Sequence, residues 1–304
     1  MAISTLHRID KITGPVSLSE ITNSKISAGI TSMIETPAGH INPMFRSTQD
    51  QKPVIEFTTP QLSTLFGAVG FAGAAISGTP LVTWIKKANT IGSIARATTS
   101  HSKVTVNLGI FHIASLSLPH NGRGEARCMV TACFDGTNDP LVYANSSALS
   151  GNLTATEYFC AGPVSVNGST LPGVKSIDVD TGIQLINESS DGEVWPSFVG
   201  VQHAAPKVTV KLFEKVLLNS IGLQGTVLDG TNGLIFYARK YSSTSRVANA
   251  TTAHILFQGL NGTAIPMDTD AQDSSPYTDT IQFDLISGSD SVQPLTITTS
   301  SAIS

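Results

Sequence analysis

A heptapeptide occurs twice in this 304-residue chain, as ARATTSH at 95–101 and as ANATTAH at 248–254. The two copies lie 153 positions apart, and further matches recur along the chain at the same spacing. Because these matches keep the same order in both copies, the sequence predicts an internal duplication. The duplicated framework positions are Pro43, Phe45, Gln49, Pro53, Lys87, Thr98, Thr99 and His101 in the first copy, and Pro196, Phe198, Gln202, Pro206, Lys240, Thr251, Thr252 and His254 in the second.

The duplication predicts two tandem domains, 1–155 and 156–304. A period near 150 residues is the size of a whole domain and is far longer than a solenoid or propeller repeat. The tetrapeptide GPVS also occurs twice, at 14–17 and 162–165, with a spacing of 148. This predicts that the second domain is five residues longer between GPVS and the following Pro-x-Phe sequence.

The composition favours a protein that assembles with copies of itself. Hydrophobic residues make up 40% of the chain, which is enough to bury a core in each half. Charged residues make up only 13%, against roughly 25% in an average soluble domain. A surface with few charges costs little to desolvate, so it suits extensive contact between subunits. The net charge of −4 and the lack of a basic run argue against a nucleic-acid-binding footprint.

The chain shows no feature of membrane insertion or export. No apolar stretch reaches the roughly 18–20 residues that cross a bilayer, and the N-terminal MAISTLHRID lacks the pattern of a secretory signal. We therefore expect cytoplasmic synthesis and no membrane partner. Cys128, Cys133 and Cys160 have no counterparts in the other copy, so we expect buried free thiols rather than a disulfide framework.

The hydrophobic pattern predicts a mainly β fold, with two tandem homologous β-sandwich or open-barrel domains that each contain one short α-helix. In the first domain the helix follows Thr59 as N-cap and Pro60 as first helical residue; in the second it covers Val216 to Leu223. FDGTNDP and LDGTNG are turn signals. The predicted strands are KPVIEFTT (52–59), LVTWIKK (81–87), SKVTVNLGIF (102–111), ARCMVTACF (126–134), PKVTVKLF (206–213), LIFYARK (234–240), DTIQFDLI (279–286) and a last strand in PLTITTSSAIS.

No residue pattern predicts catalysis, a cofactor or a metal site. The chain lacks a nucleophile elbow, a zinc-protease motif and a phosphate-binding loop, so we expect it not to be an enzyme. His101 and His254 occupy duplicated positions, where a packing or hydrogen-bonding role is the favoured interpretation. Metal binding by Asp178 and Asp180, or by the Asp268, Asp270 and Asp273 group, is a weaker alternative.

The duplicated, weakly charged β pattern resembles the tail tube (major tail) proteins of long-tailed bacteriophages, or siphoviruses. The local features are Pro43-Met44-Phe45 and Pro196-Ser197-Phe198 leading into a strand, the P-x-V-x-V sequence at 206–210, and a following helix. The resemblance is to the type with an internally duplicated tube domain. Related proteins form the tubes of contractile tails and of type VI secretion systems.

The resemblance implies a structural virion protein that forms homotrimeric, pseudo-sixfold rings, which stack by helical assembly into a hollow tail tube. It implies that phage DNA passes through the lumen into the host during genome ejection without specific binding. Further implied partners are tape-measure, tail-terminator and distal tail proteins. In this family each domain contributes about four strands to a continuous inner barrel, and roughly twenty-four strands give a backbone diameter of about 45–50 Å.

Three other functions remain open at this point. A different phage structural protein, such as a capsid, decoration or tail-terminator protein, shares the composition and the need for self-assembly. A host-side fibre or surface-layer protein would need an export signal, and none is visible in the sequence. A duplicated carbohydrate-binding β-sandwich would display aromatic side chains in clefts. Aromatic residues make up only 6% of the chain, which disfavours that last alternative.

Overall fold

The chain is mainly β. A computed structural model describes residues 7–87, 100–149, 157–213, 225–242, 245–270, 278–289 and 292–304. Its first half forms β1 (His7–Thr13), β2 (Ser24–Ser27), β3 (Ile30–Glu35), β4 (Phe45–Gln51), β5 (Val54–Thr59), α1 (Leu62–Val69), β6 (Ala74–Ile76), β7 (Leu81–Lys87), β8 (Ser100–Val106), β9 (Leu108–Pro119), β10 (Glu125–Cys133) and β11 (Val142–Ala148). Its second half forms β12 (Phe159–Val166), β13 (Ser169–Leu171), β14 (Val174–Asp180), β15 (Ile183–Glu188), β16 (Phe198–Ala204), β17 (Lys207–Leu212), β18 (Thr226–Val227), β19 (Leu234–Lys240), β20 (His254–Gly259), β21 (Asn261–Asp270), β22 (Thr278–Ile286) and β23 (Thr296–Ser301).

The strands form three larger sheets and two isolated hairpins. The first half contains a sheet in the order β1-β7-β8-β11, and the second half contains one in the order β13-β12-β19-β20-β23. A ten-stranded sheet runs through both halves in the order β18-β21-β22-β17-β14-β9-β10-β5-β2, with β6 also paired to β9. The hairpins are β3–β4 and β15–β16. Every pairing is antiparallel.

The two halves of the ten-stranded sheet have the same order of pairing. One half reads β2-β5-β10-β9 with β6 on β9, and the other reads β14-β17-β22-β21 with β18 on β21. Their registers agree as well: Cys128 lies opposite Ile113, and Ile281, 153 positions later, lies opposite Pro266. Each of these two pairings contains its register shift beside that residue pair.

The GPVS repeat does not mark equivalent positions. Gly14 to Ser17 follow the end of β1, whereas Gly162 to Ser165 lie inside β12. Ile12 pairs with Thr83 and Val164 pairs with Phe236, so the registers align these strands at a spacing of 152 rather than 148. The five-residue extension inferred from GPVS is therefore wrong, because a four-residue match of common residues arose outside the duplicated framework.

The hydrophobic core draws on one face of nearly every long strand. On β5, Ile55 and Phe57 are buried while Glu56 between them is half-exposed, as expected for side chains that alternate across a sheet. Phe57 stacks on Phe111 with ring centroids 5.8 Å apart, and Phe236 stacks on Phe257 at 4.7 Å. Buried apolar residues of both halves belong to one continuous cluster. The opposite face of the ten-stranded sheet remains polar.

The strand predictions are confirmed with one difference. LVTWIKK and LIFYARK correspond to β7 and β19 over their full length, and the last strand is β23. The segment predicted as one strand at 102–111 is two strands, because β8 ends at Val106 and β9 begins at Leu108. The Asn107 side chain between them donates a hydrogen bond to Asp135 at 2.9 Å, which anchors the junction.

The first predicted helix exists as α1, but its predicted start is wrong. Thr59 ends β5, pairs with Ala126, and donates its hydroxyl to the Glu20 carbonyl oxygen at 2.8 Å. Because Thr59 belongs to the sheet, the N-cap position is Gln61, whose side chain makes no capping hydrogen bond to the helix. The second predicted helix, Val216 to Leu223, lies outside the described residues.

The predictions for cysteines and acidic turns are confirmed. Cys128, Cys133 and Cys160 are buried free thiols, and burial raises the pKa of each. Asp135 and Asp229 each accept backbone N–H bonds from the residues that follow them. Both turns therefore result from the local hydrogen-bonding chemistry of Asp.

Candidate assembly surfaces

The two halves are joined by a strand pairing between β9 and β14. The C-terminal part of β9 lies antiparallel to β14, with Leu116 opposite Val179 and Ser117 opposite Asp178. Leu116 and Val179 are both 3% exposed, so the pairing also buries apolar surface. The Ser117 hydroxyl donates a 2.6 Å hydrogen bond to the Asp178 carboxylate on the other face. We call this pairing the internal joint.

The loop at the tip of the β15–β16 hairpin forms a second contact between the halves. The Gln51 N–H at the end of β4 donates to the Val194 carbonyl oxygen at 2.9 Å. The Phe134 N–H after β10 donates to the Pro196 carbonyl oxygen at 2.9 Å. Between these bonds, the Trp195 ring packs against the Phe134 ring with centroids 5.4 Å apart, and its indole N–H donates to the Gln51 side chain at 3.1 Å. The tip is thus held by the backbone and by an aromatic pair.

A third contact contains the charged residues of the junction. The Arg123 guanidinium forms an ion pair with Glu20 and donates from Nε to the Glu157 carbonyl oxygen at 3.0 Å. The Glu157 carboxylate accepts the N–H groups of Ser63 at 2.7 Å and Thr64 at 3.2 Å. It therefore supplies an anion at the N-terminus of α1, where the helix dipole favours negative charge. The second half thus satisfies donors of the first-half helix.

One end of the ten-stranded sheet is open at β21. On the side away from β22, β18 pairs with β21 only at Thr263 and Ala264. Beyond Ala264, and as far as Asp270, the described part of the chain provides no second strand neighbour. The matching stretch of β9 is the part that pairs with β14 in the internal joint. Within the described residues, the backbone groups of this edge therefore have no strand partner, as in an edge strand that can accept another strand.

The other end of the sheet is open at β2. Lys25 lies opposite Glu56, and Ile26 opposite Ile55, in the pairing with β5. No strand among the described residues pairs with the other side of β2. Asp178 pairs with Thr209, 153 positions after Glu56, so Lys25 holds the register position in β2 that Asp178 holds in β14. Among the described residues, the two strand edges that correspond to the internal joint thus lie at opposite ends of the ten-stranded sheet without a strand partner.

The β3–β4 hairpin is far more exposed than the β15–β16 hairpin. Ile41 is 97% exposed and Ile30 is 60% exposed, whereas Val194 and Ile183, at the matching positions, are only partly exposed. Both hairpins begin at a glycine with φ of +59°, Gly29 and Gly182. The first hairpin therefore presents an apolar tip that has no cover within the described structure.

The polar face of the ten-stranded sheet carries interleaved charges of both signs. Arg127 and Glu56 form an ion pair at 2.8 Å, and burial alternates along each strand so that charged residues share this face. The described residues on it are Lys25, Arg127, Lys207 and Lys211, and Glu56, Glu125, Asp178, Asp180 and Asp284. Such a nearly balanced surface has no cationic stripe that would retain a phosphate backbone.

The duplicated prolines occupy matching hydrogen-bonding positions. Pro53 and Pro206 are buried, and their carbonyl oxygens accept N–H bonds from Ala132 and Leu285, each at 3.1 Å. Pro196 is buried in the hairpin contact, while Pro43 is exposed. The remaining framework positions divide into exposed hairpin residues (Phe45, Gln49, Phe198 and Gln202), exposed turn residues (Thr251 and Thr252), ends of strands (Lys87 and Lys240), and two that lie outside the described residues (Thr98 and Thr99).

The duplicated histidines are buried in the sheets of each half. His101 and His254 are both 0% exposed. His254 accepts the Lys240 N–H at Nδ1 (3.1 Å), and its Nε2 lies 3.1 Å from the Ala248 carbonyl oxygen. Both of its ring nitrogens are thus engaged by the backbone, which supports a structural role.

Of the acidic residues considered for metal binding, Asp178 and Asp180 are engaged in other contacts. Asp178 accepts the Ser117 hydroxyl, and Asp180 accepts the Gly182 N–H at 3.0 Å. Asp268 and Asp270 belong to β21, and Asp273 lies outside the described residues. Within the described ranges, no three His, Cys, Asp or Glu side chains are grouped so that they could hold a metal ion.

The sequence alone did not reveal the internal joint. Leu116, Ser117 and Asp178 do not belong to the conspicuous repeats, and Ser117 corresponds to Asp270 rather than to another serine. Register comparison at a spacing of 153 could have found the matched edges, but only with the strand order known.

The comparisons do not assign the chain to a family. Over the residues that the structure describes, no helix has the length and apolarity needed to cross a membrane. No protein-family model matches the sequence, and no curated protein is significantly similar to it.

Proposed function

We propose that this chain is a structural subunit of a hollow tube of the siphovirus tail-tube type, with two homologous β domains that occupy neighbouring places in a ring. The observation that carries the proposal is the internal joint. It unites two sets of strands with the same pairing order, and in the described part of the chain the two corresponding edges at the ends of the sheet have no strand partner. A subunit whose two end strands, β21 and β2, match the two strands of the internal joint can associate head to tail with copies of itself.

The domain duplication is supported by registers as well as by sequence. Gly29 and Gly182 share a φ of +59°, and a Cβ at either would meet the carbonyl oxygen of the residue 23 positions later, Lys52 or Ala205. The N–H bonds from Lys52 to Gly29 and from Ala205 to Gly182 are equivalent too. Homologous sandwich-like domains account for such agreement in detail, because backbone strain is conserved only where the surrounding structure is also conserved.

Ring closure follows from repeating the internal joint between chains. Transfer of its register places Lys25 of one copy opposite Asp270 of the next, where the internal joint has Asp178 opposite Ser117. Opposite charges at directly facing positions stabilise a strand pair. Such a contact is heterologous, so it closes when the rotation between copies returns to the start.

The dimensions suit a conduit for a DNA duplex. Eight strands, from β21 through β2, run continuously through each chain, and three chains supply twenty-four. Strands spaced about 4.8 Å apart and tilted by about 35–45° then give a backbone diameter of about 45–50 Å. With the apolar face committed to the core, the polar face lines the interior. Its balanced charges would let phosphates pass without binding.

Electron microscopy of the purified protein tests this function. We expect hollow rods in negative stain, with ring formation dependent on the open edges. Lys25→Glu places two acidic residues at facing positions and should raise the concentration needed for assembly several-fold, while Lys25→Glu with Asp270→Lys should restore it. Discrete globular particles at every concentration would contradict the tube and favour another virion component. Failure of the double variant to recover would contradict the proposed register.

A further inference from the structure

We propose that the β3–β4 hairpin is a clasp that seats on the second half of a neighbouring copy of this chain. This inference rests on the proposed ring, and it adds a contact that the pairing of sheet edges does not require. Its partner is specified by the β15–β16 hairpin, whose tip makes the corresponding contact within one chain.

The internal clasp shows which atoms such a contact uses. The tip carbonyl oxygens of Val194 and Pro196 accept the N–H groups of Gln51 and Phe134. The Cys133 thiol lies 3.1 Å from the Pro196 oxygen and is buried at 2% exposure. The receiving surface therefore consists of the end of β4 and the residues at and just beyond the end of β10.

The tip of the β3–β4 hairpin has residues that correspond to those of the internal clasp, and these residues are exposed to solvent. Ile41 corresponds to Val194 and Pro43 to Pro196 at the spacing of 153. Pro196 is buried whereas Pro43 is exposed, and Ile41 is 97% exposed. Because Pro196 is buried in the internal clasp, we expect the surface around Pro43 to become buried when the first hairpin binds a neighbouring copy.

The second half presents the matching receiving surface, also open. Ala204 corresponds to Gln51, and Ser287 corresponds to Phe134; both are exposed. Ile286 corresponds to the buried Cys133 and is 61% exposed. Because Cys133 contacts Pro196 in the internal clasp, the exposed Ile286 is the position that would meet Pro43 of the neighbouring copy. A single chain therefore displays both halves of the clasp, and a second copy provides the complement of each.

The two clasps differ in their side chains. The Trp195–Phe134 aromatic pair has Asn42 and Ser287 at its equivalent positions, so the contact between copies relies on aliphatic residues and backbone hydrogen bonds. Phe45 and Phe198 are 49% and 58% exposed. Phe198 remains exposed although its hairpin contacts the first half of the chain. The clasp therefore does not explain why either phenylalanine is exposed.

Disulfide trapping tests the clasp between copies. Residues joined by a backbone N–H···O bond lie within the range of Cα distances that a disulfide spans. Ile41→Cys with Ala204→Cys should therefore give covalent dimers and trimers on non-reducing gels after mild oxidation of assembled protein. The matched control, Gln51→Cys with Val194→Cys, should close within a chain, with loss of two titratable thiols and no increase in mass. Ile41→Cys alone should give no trimers.

The outcomes separate the clasp from the tube. Rods with no cross-linked trimers, under oxidation that closes the control pair, would overturn the clasp and leave the proposed function standing. Absence of both rods and cross-links would overturn both. As a second measurement, Ile41→Asp should raise the concentration needed for assembly at least tenfold without changing monomer unfolding, since Ile41 is almost fully exposed in one chain. An unchanged assembly concentration would contradict the clasp.

Discussion

The edges of β9 and β21 have matching registers, but they differ in whether another strand pairs with them. The edge of β9 is filled by β14 of the same chain, whereas the edge of β21 beyond Ala264 has no strand partner in the described structure. The two hairpins differ in the same way, one seated on the other half and one exposed. In the proposed assembly, the chain completes one joint internally and contributes one edge to a further joint at each end of the ten-stranded sheet.

The internal joint also has contacts that the proposed joint between copies cannot repeat. Arg123 links Glu20 to the Glu157 carbonyl oxygen, but position 276, which is 153 residues later, is a proline. In the proposed assembly, fusion of the halves therefore lets the internal joint gain the Arg123 contact, whereas the joint between copies has Lys25 facing Asp270. In the proposed assembly, a permanent joint within the chain and a reversible one between chains would suit a subunit that assembles after it folds.

The largest effect on stability is expected from shortening a buried side chain of the internal joint. Leu118 is fully buried and lies opposite Ile177, so Leu118→Ala should reduce the free energy of unfolding by about 2–5 kcal/mol. Ile26 of the open strand is only partly buried, and Ile26→Ala should cost about half as much in the isolated chain. Urea unfolding of unassembled protein measures both. Equal losses would show that β2 is not an open edge.

A second, smaller effect tests whether the two hairpins have the same backbone conformation at the glycine where each begins. A Cβ at Gly182 would lie 2.2 Å from the Ala205 oxygen, and one at Gly29 would lie 1.9 Å from the Lys52 oxygen. Gly182→Ala and Gly29→Ala should each cost about 1–3 kcal/mol, because both combine backbone strain with a clash. Gly39→Ala, where φ is +87° but no atom lies within 4 Å, is the control without a clash. Losses at Gly29 and Gly182 that differ by more than about 1 kcal/mol would contradict equivalent bases.

A third test concerns the contact that the second half makes with α1. Glu157→Gln keeps the shape of the side chain but removes the negative charge from the helix N-terminus, so we expect a loss of about 0.3–1 kcal/mol. Glu188→Gln, on the exposed end of β15, is the matched control and should have no effect. Thermal unfolding at low salt compares them. Equal behaviour of the two variants would remove this contact from the description of the junction.

The smallest effect concerns the two Asx turns. Backbone hydrogen bonds hold the pKa of both Asp135 and Asp229 at about 2. Because the folded-state pKa lies below the ordinary value, the stabilisation is present above about pH 4 and is lost as the pH falls towards 2. Asp135→Asn and Asp229→Asn should each flatten the fall in Tm over this range slightly and by similar amounts. A steeper fall in either variant would contradict the assigned turns.

Sequence patterns were informative where local and long-range preferences agree. β7 and β19 were predicted over their full length because both segments are rich in β-branched and aromatic residues and recur at the spacing of 153. The start of α1 was not, since Thr59 is both a good N-cap residue and a member of β5 paired with Ala126. Only the strand order reveals which choice prevails.

The assembly surfaces were harder to predict than the strands. The internal joint depends on which distant strand lies beside the second part of β9, and Ser117 and Asp178 carry no local signal for that choice. The open edges can be recognised only by comparison with the filled one. By contrast, the buried pair His101 and His254 and the prolines Pro53 and Pro206, whose carbonyl oxygens make equivalent contacts, were visible in the sequence as repeats.

The symmetry of the assembled particle tests the central claim most directly. Cryo-electron microscopy of rods formed by the purified chain should show rings of three copies, with the two halves alternating at six similar positions and β21 of each copy paired to β2 of the next. A ring with another number of copies, or contacts between copies that leave both edges exposed, would contradict the account.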